Sequence, residues 1–252
     1  MKLGAGQLVL ENPGARLRVL LLHHAGGSAM SLLPLAKRLQ ADCEPVLLEL
    51  PGRGLRSAEP PAPDFAAALE VLLPEVTAAV DRPTLILGHS LGALIAHSLA
   101  VGLPERERER VRAVVVSAFP APAVAARVAT HPAEPFRVRT REQLLVELQD
   151  RGGCPPEVFE DQDTLEHAVT LMGQDLHLAD TYRPPPAGAG NAAAYHVWFG
   201  RDDPHLAPEE LQEWAAATGL PPIIREFPGE HFYLLRSEQA GQALRALVTD
   251  LS

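Results

Sequence analysis

A serine flanked by glycines at two-residue spacing is the first feature that could do chemistry. The run Leu85-Ile86-Leu87-Gly88-His89-Ser90-Leu91-Gly92-Ala93-Leu94 holds a G-x-S-x-G pattern. An apolar strand enters it and a helix leaves it, the setting of a nucleophile elbow, a sharp turn that lifts a serine hydroxyl above the end of a sheet. The glycines suit such a turn because it leaves no room for side chains on either flank. The blander alternative is a tight strand–helix turn in which Ser90 only caps the helix.

A hydroxyl is a weak nucleophile at neutral pH unless a base takes its proton. Where such an elbow occurs, the chain order is serine, then acid, then histidine. The apolar run Tyr195–Gly200 ends in Arg201-Asp202-Asp203-Pro204. Asp203 is the preferred acid, because a turn beginning at Gly200 aims the third residue on back toward the elbow. Asp202 is the fallback, and both could be ordinary turn residues. Two histidines follow. His205 is too close in sequence to Asp203 to donate a hydrogen bond to it and reach Ser90 as well. His231, in Pro228-Gly229-Glu230-His231-Phe232, follows the run Ile223–Phe227, and loops at the carboxyl ends of parallel strands are where ligand chemistry collects. An oxyanion formed on attack needs backbone donors, for which Leu91 N–H and Ala25 N–H, in His23-His24-Ala25-Gly26-Gly27-Ser28, are the candidates. No metal is expected at His23-His24, since adjacent side chains on an extended segment diverge.

The elements that must hold these residues can be read from hydropathy. Runs at Leu17–Leu22, Val46–Leu50, Thr84–Gly88, Val111–Ser117, Tyr195–Gly200 and Ile223–Phe227 are continuously apolar or β-rich, as in strands buried on both faces of a parallel sheet. Helices are expected near 30–40, 65–80, 91–102, 208–218 and 237–250, with Asp64 as an N-cap and Pro208 in a first turn. Gln7–Leu10 reads as an added strand hairpinned through Asn12-Pro13-Gly14. The alternation predicts a mostly parallel α/β sheet. From 118 to 194 no sheet strand is evident, while helical patterns recur near Arg141–Gln149 and Asp163–Leu178. The segment therefore reads as a helical lid inserted into a single domain spanning 1–252, and Arg183–Gly190 within it looks like a linker.

Composition bounds the rest. The 252 residues include 22 Lys+Arg and 32 Asp+Glu, a net charge of −10 that disfavours nucleic acid as a partner. Two cysteines, Cys43 and Cys154, are too few for a disulfide framework. Glu11 arrives before any secretory apolar core could form. Thr84–Pro104 carries no formal charge but is broken by glycines and polar residues, which suits a strand and helix better than a bilayer span. A cytoplasmic protein is expected.

Several blocks, in order, then resemble the α/β-hydrolases, and more narrowly the type II thioesterases, the stand-alone editing enzymes of polyketide and nonribosomal peptide synthases. His24–Ala29 resembles that family's oxyanion loop. Leu50-Pro51-Gly52-Arg53-Gly54-Leu55-Arg56 with Glu59-Pro60-Pro61 resembles its P-G-R-x-x-R and E-P motif, and Gly88–Ala93 its elbow. Gly153 with Pro155-Pro156, then Asp175-Leu176 and Tyr182, are similar to its lid. Phe199–Pro204 and Gly229–Phe232 resemble its acid and histidine segments. Residues 17 to 235 are roughly covered. Leu91 departs from a common methionine there. Some related thioesterases carry the acid after the preceding strand, but after Val114–Ala118 no carboxylate comes before Glu134.

The resemblance implies a triad of Ser90, Asp203 and His231 and an oxyanion site at Ala25 and Leu91. It implies hydrolysis of acyl groups from phosphopantetheinyl carrier proteins by a monomer without a cofactor. An esterase or lipase acting on free small esters, and a non-catalytic module that binds acyl carriers, are the competing readings. Carrier proteins are often acidic, so a protein of charge −10 would need a local basic patch. Arg137, Arg139 and Arg141 are candidates, unless they form a solvated helix entry.

Overall fold

The computed structural model describes residues 2–4, 6–128, 139–150, 156–186 and 193–252. Eight strands form one sheet: β1 (Lys2–Gly4), β2 (Gln7–Val9), β3 (Arg18–Leu22), β4 (Glu44–Leu48), β5 (Thr84–His89), β6 (Val111–Ser117), β7 (Ala194–Gly200) and β8 (Ile223–Phe227). Their spatial order is β1-β2-β4-β3-β5-β6-β7-β8. All neighbours from β4 to β8 run parallel, and β1 and β2 are antiparallel additions at one edge.

The continuous apolar runs sit where they must. Every residue of β4 and β5 is buried, as are four of five in β3 and six of seven in β6. The edge strand β8 buries only Phe227 fully, which its Ile-Ile-Arg-Glu-Phe sequence permits. Two apolar layers cover the sheet. On one face helices Phe65–Ala79, Leu91–Gly102 and Gln162–Thr181 pack around Ile86, Val114 and Val116. On the other, helices Leu33–Leu39 and Glu238–Leu251 pack around Leu21, Leu85 and Val115. Asp64 caps its helix as expected, its side chain accepting from Ala67 N–H at 2.8 Å, and Pro208 stands in the first turn of Pro208–Leu211.

Two expectations need correction. Gln7–Val9 is a strand, but it is not hairpinned to β3 through Asn12-Pro13-Gly14. It pairs with β1 on one side and β4 on the other. Asn12 instead donates to Gln40 O at 2.9 Å, anchoring the crossing from the sheet edge to its centre. The fourth strand begins at Glu44 rather than Val46. Pro45 is tolerated because it lies at the end of the β2 ladder, where its carbonyl is used by Leu10 N–H at 2.9 Å.

Between β6 and β7 the described residues form helices Pro122–Val128, Arg141–Asp150 and Gln162–Thr181, with a short 3₁₀ turn at Pro156–Phe159 and no strand. The long helix leans on Phe65–Ala79: Thr181 Oγ1 accepts from Phe65 N–H at 3.0 Å, His177 Nε2–H donates to Pro63 O at 2.8 Å, and Tyr182 meets Phe65 edge-on. Much of the linker Arg183–Gly190, with Gly153, Cys154, Pro155 and Arg137, lies outside the described residues. No described helix is long and apolar enough to cross a membrane.

Candidate active site

The sheet places a crevice before any side chain is considered. The chain leaves β3 for β4 on one side and returns to β5 on the other. Loops leaving the carboxyl ends of β3 and β5 therefore diverge and open a cleft between them. Ala25 follows β3, Ser90 follows β5, Asp203 follows β7 and His231 follows β8.

Ser90 sits at φ 55° and ψ −123°, a left-handed strained backbone for a residue with a Cβ. The turn is held by Ser90 N–H donating to Ser117 O at 2.8 Å and by Ala93 N–H donating to Ser90 O at 2.8 Å. Both flanking glycines are sterically required. A Cβ on Gly88 would lie 1.9 Å from Gly92 O, and one on Gly92 would lie 2.4 Å from Leu22 O. The second contact shows why the elbow helix can pass so close to β3.

Three side chains converge there across large sequence distances. His231 Nε2 lies 3.0 Å from Ser90 Oγ, and His231 Nδ1–H donates to Asp203 Oδ2 at 2.7 Å. With the carboxylate accepting at Nδ1, the neutral ring presents Nε2 as an acceptor toward the hydroxyl. All three residues are buried. Burial works to raise the Asp203 carboxyl. The hydrogen bond and charge of His231 and the His205 N–H donor at 3.0 Å outweigh it and hold the group below the usual range. Asp202 points elsewhere: it is exposed, its Oδ2 accepts from Gly229 N–H at 3.3 Å, and its own N–H bonds Gly229 O at 3.0 Å. It braces the turn that carries His231. His205 lies at the cavity wall with its ring 5.8 Å from that of His231.

Beneath the imidazole lies an apolar, proton-poor layer. The His89 ring lies tilted 5.3 Å from that of His231, Phe232 meets His231 edge-on at 5.2 Å, and His24 meets Phe232 edge-on at 4.7 Å. Burial lowers His24 to about 4 and His89 well below its ordinary value, so both are neutral near pH 7. A second chain, His89 Nδ1 to Ser117 Oγ at 3.0 Å and Ser117 Oγ to Tyr233 OH at 2.6 Å, ties the elbow to β6 and to the His231 loop. Its members are 28 and 116 positions apart, and no local sequence signal announces them.

Ser90 and His231 open into a cavity of about 330 Å³. Ala25 and Leu91 line the same cavity, and Leu91 is the first residue of the twelve-residue elbow helix. Leu94, Phe119 and Val124 supply apolar wall, and Leu176, Ala179 and Asp180 come from the inserted long helix. The size and mostly apolar lining suit a small organic group. The three arginines considered for a basic patch are not equivalent. Arg139 makes a two-pronged pair with buried Asp180, at 2.6 and 3.0 Å, and Arg141 pairs with Glu166.

The architecture is that of an α/β-hydrolase, with a serine elbow after a central parallel strand and a helical insertion before the strand that carries the acid. The chain belongs to the thioesterase domain family, whose profile matches residues 17–251. It is similar to the type II thioesterase BorB of the borrelidin biosynthetic cluster, with a TM-score of 0.82 and 30% identity over 100% of this chain and 99% of that one. It is 31% identical to a probable cadicidin biosynthesis thioesterase of Streptomyces griseus over 86% of this chain, and spans 58% of that relative's length. Gramicidin S biosynthesis protein GrsT of Aneurinibacillus migulanus is 25% identical over 90% of this chain and 86% of its own length.

Proposed function

We propose that this protein is an editing thioesterase that hydrolyses acyl groups from the phosphopantetheine arm of carrier proteins in a polyketide or nonribosomal peptide pathway. The reading is carried by one observation: a serine on a strained elbow, 3.0 Å from an imidazole that is itself held 2.7 Å from a buried carboxylate, in a chain of the thioesterase family. Relatives named for cadicidin and gramicidin S biosynthesis support the substrate class.

In the proposed reaction Ser90 Oγ attacks the thioester carbonyl carbon while His231 Nε2 takes the hydroxyl proton. The oxyanion is held by the N–H groups of Ala25 and Leu91. Collapse breaks the carbon–sulfur bond, and His231 returns the proton to the leaving thiolate. Water then attacks the acyl-serine ester and His231 takes its proton; His231 passes that proton to Ser90 Oγ as the acyl carbon–oxygen bond breaks, and the carboxylic acid leaves. Asp203 orients the ring and stabilises its cation. Water is the only co-reactant this scheme uses, and no cofactor enters it. The helices between β6 and β7 act as a lid over the acyl chamber, within a single domain, and the enzyme works as a monomer in the cytoplasm.

The test is thiol release from acyl-phosphopantetheinyl carrier proteins beside matched free thioesters and oxygen esters. Faster release from the carrier, lowered on the order of 10³-fold or more by Ser90→Ala, is the expected result. Faster cleavage of free oxygen esters would move the protein to the general esterases, and full activity in Ser90→Ala would remove the serine from the mechanism.

A further inference from the structure

We infer that Asp175, on the inserted helix Gln162–Thr181, is a positioning residue for the oxyanion site, so that the Ala25 donor is aimed only when that helix is docked. The inference rests on the role proposed above for Ala25.

A backbone N–H lies in the peptide plane that precedes its residue, and the plane that follows limits how far that one can turn. At Ala25 both are pinned. The preceding carbonyl, His24 O, accepts from His23 Nδ1–H at 2.8 Å and from Gly27 N–H at 3.1 Å. In the following plane, Ala25 O accepts from His24 Nδ1–H at 2.9 Å, while Gly26 N–H donates to Asp175 Oδ2 at 2.7 Å. One residue further, Gly27 O accepts from Arg53 Nη1 at 3.1 Å. Of these holders, Asp175 alone belongs to the insertion, 149 positions from the loop it grips.

Arg53 explains how the carboxylate is kept in place. Its Nη1 and Nη2 donate to Asp175 Oδ2 and Oδ1 at 2.6 and 2.5 Å, and both side chains are buried. A dry ion pair is a poor device for docking a helix, since apolar residues of similar volume often do as well or better. What an apolar pair could not do is accept the Gly26 N–H. Three residues earlier on the same helix, Met172 closes over Gly26, which sits at φ +72° and would bring a Cβ to 3.1 Å from Met172 Cε. The helix therefore holds the loop at Gly26, through one hydrogen bond and one packing contact.

The experiment compares wild type, Asp175→Asn and the apolar double variant Arg53→Met/Asp175→Leu. Thermal melting would follow the fold, and kcat and KM would be measured separately on an acyl thioester. The double variant replaces the buried pair without stranding a charge, but it leaves Gly26 N–H with no acceptor and Gly27 O without its Arg53 donor. We expect it to fold and to lose kcat on the order of 10²-fold, the scale of a small misplacement at a reacting centre or of one missing oxyanion donor, with KM changed less than threefold. Asp175→Asn, which keeps a carbonyl oxygen near Gly26, should recover part of that loss. A folded double variant with wild-type kcat would overturn the inference. Should the double variant not fold, Asp175→Asn is set beside Asp175→Ala: a kcat lower in the alanine variant than in the asparagine one at constant KM supports the inference, and equal kcat in the two overturns it. A wild-type protein without thioesterase turnover would remove the underlying reading too, an outcome distinct from the others.

Discussion

Two adjacent aspartates follow β7, and their side chains have opposite fates because the turn from Gly200 sends one inward and one outward. Asp203 is buried against His231, and Asp202 is exposed and braces Gly229. Asp203→Asn preserves volume while removing the charge that selects the Nδ1–H tautomer. It should lower kcat on the order of 10³-fold or more, as loss of the orienting carboxylate does in serine proteases. Asp202→Asn should stay within a few-fold of wild type. Steady-state thioester kinetics on both variants check the pair. Equal losses would mean that bracing the His231 turn matters as much as orienting its ring.

At the level of the element, the elbow is a strand–helix junction compressed until backbone meets backbone. Gly92 Cα lies so close to the end of β3 that an added methyl would fall 2.4 Å from Leu22 O and 2.7 Å from His23 O. Neither atom is the end of a flexible side chain, so relief requires moving the helix Leu91–Gly102 or the loop that carries Ala25. Gly92→Ala should therefore cost about 2–4 kcal/mol, within the range of overpacked and strained backbone sites. Urea unfolding would measure it. Glycines without such neighbours, such as Gly14, whose Cβ would meet only Asn12 Oδ1 at 3.7 Å, serve as controls.

For the whole molecule, buried histidines link folding to acidity. Burial lowers His24 and His97 from 6.5 to about 4, and it holds His89 well below its ordinary value. Below pH 6.5 the unfolded chain takes up protons at these positions that the folded chain refuses, so stability falls as pH falls toward 4. Each of His24 and His97 contributes a loss on the order of 3 kcal/mol by about pH 4. Asp203, also lowered, adds a loss of the same sign below its ordinary range. His97 lies away from the cleft, bonded to Tyr195 OH at 3.0 Å and packed on Trp214, so it can be tested without touching the site. His97→Gln should flatten the dependence of unfolding free energy on pH between 6.5 and 4. An unchanged slope would mean that this residue is protonated in the folded state.

Hydropathy alone determined the six parallel strands, the long helices and the helical break after β6, because burial on both faces, which every one of those strands but the edge strand β8 has, leaves a continuous apolar run that no other element needs. Local chemistry likewise determined the elbow, since a serine between two glycines at a strand–helix boundary has few other uses. Chain order and turn geometry pointed to Asp203 and His231, and the fold brings His231 to Ser90 and Asp203 to His231. The edge was harder to read. Three-residue strands such as β1 and β2 carry too few positions for a periodicity, so β2 could be assigned as a strand but not given its partner. Contacts between distant segments were out of reach altogether. That Arg53 belongs to Asp175, Ser117 to Tyr233 and Arg139 to Asp180 depends on which loops the sheet order brings together, and a sequence records residue types but not the crossings that make neighbours of positions 41 to 122 apart.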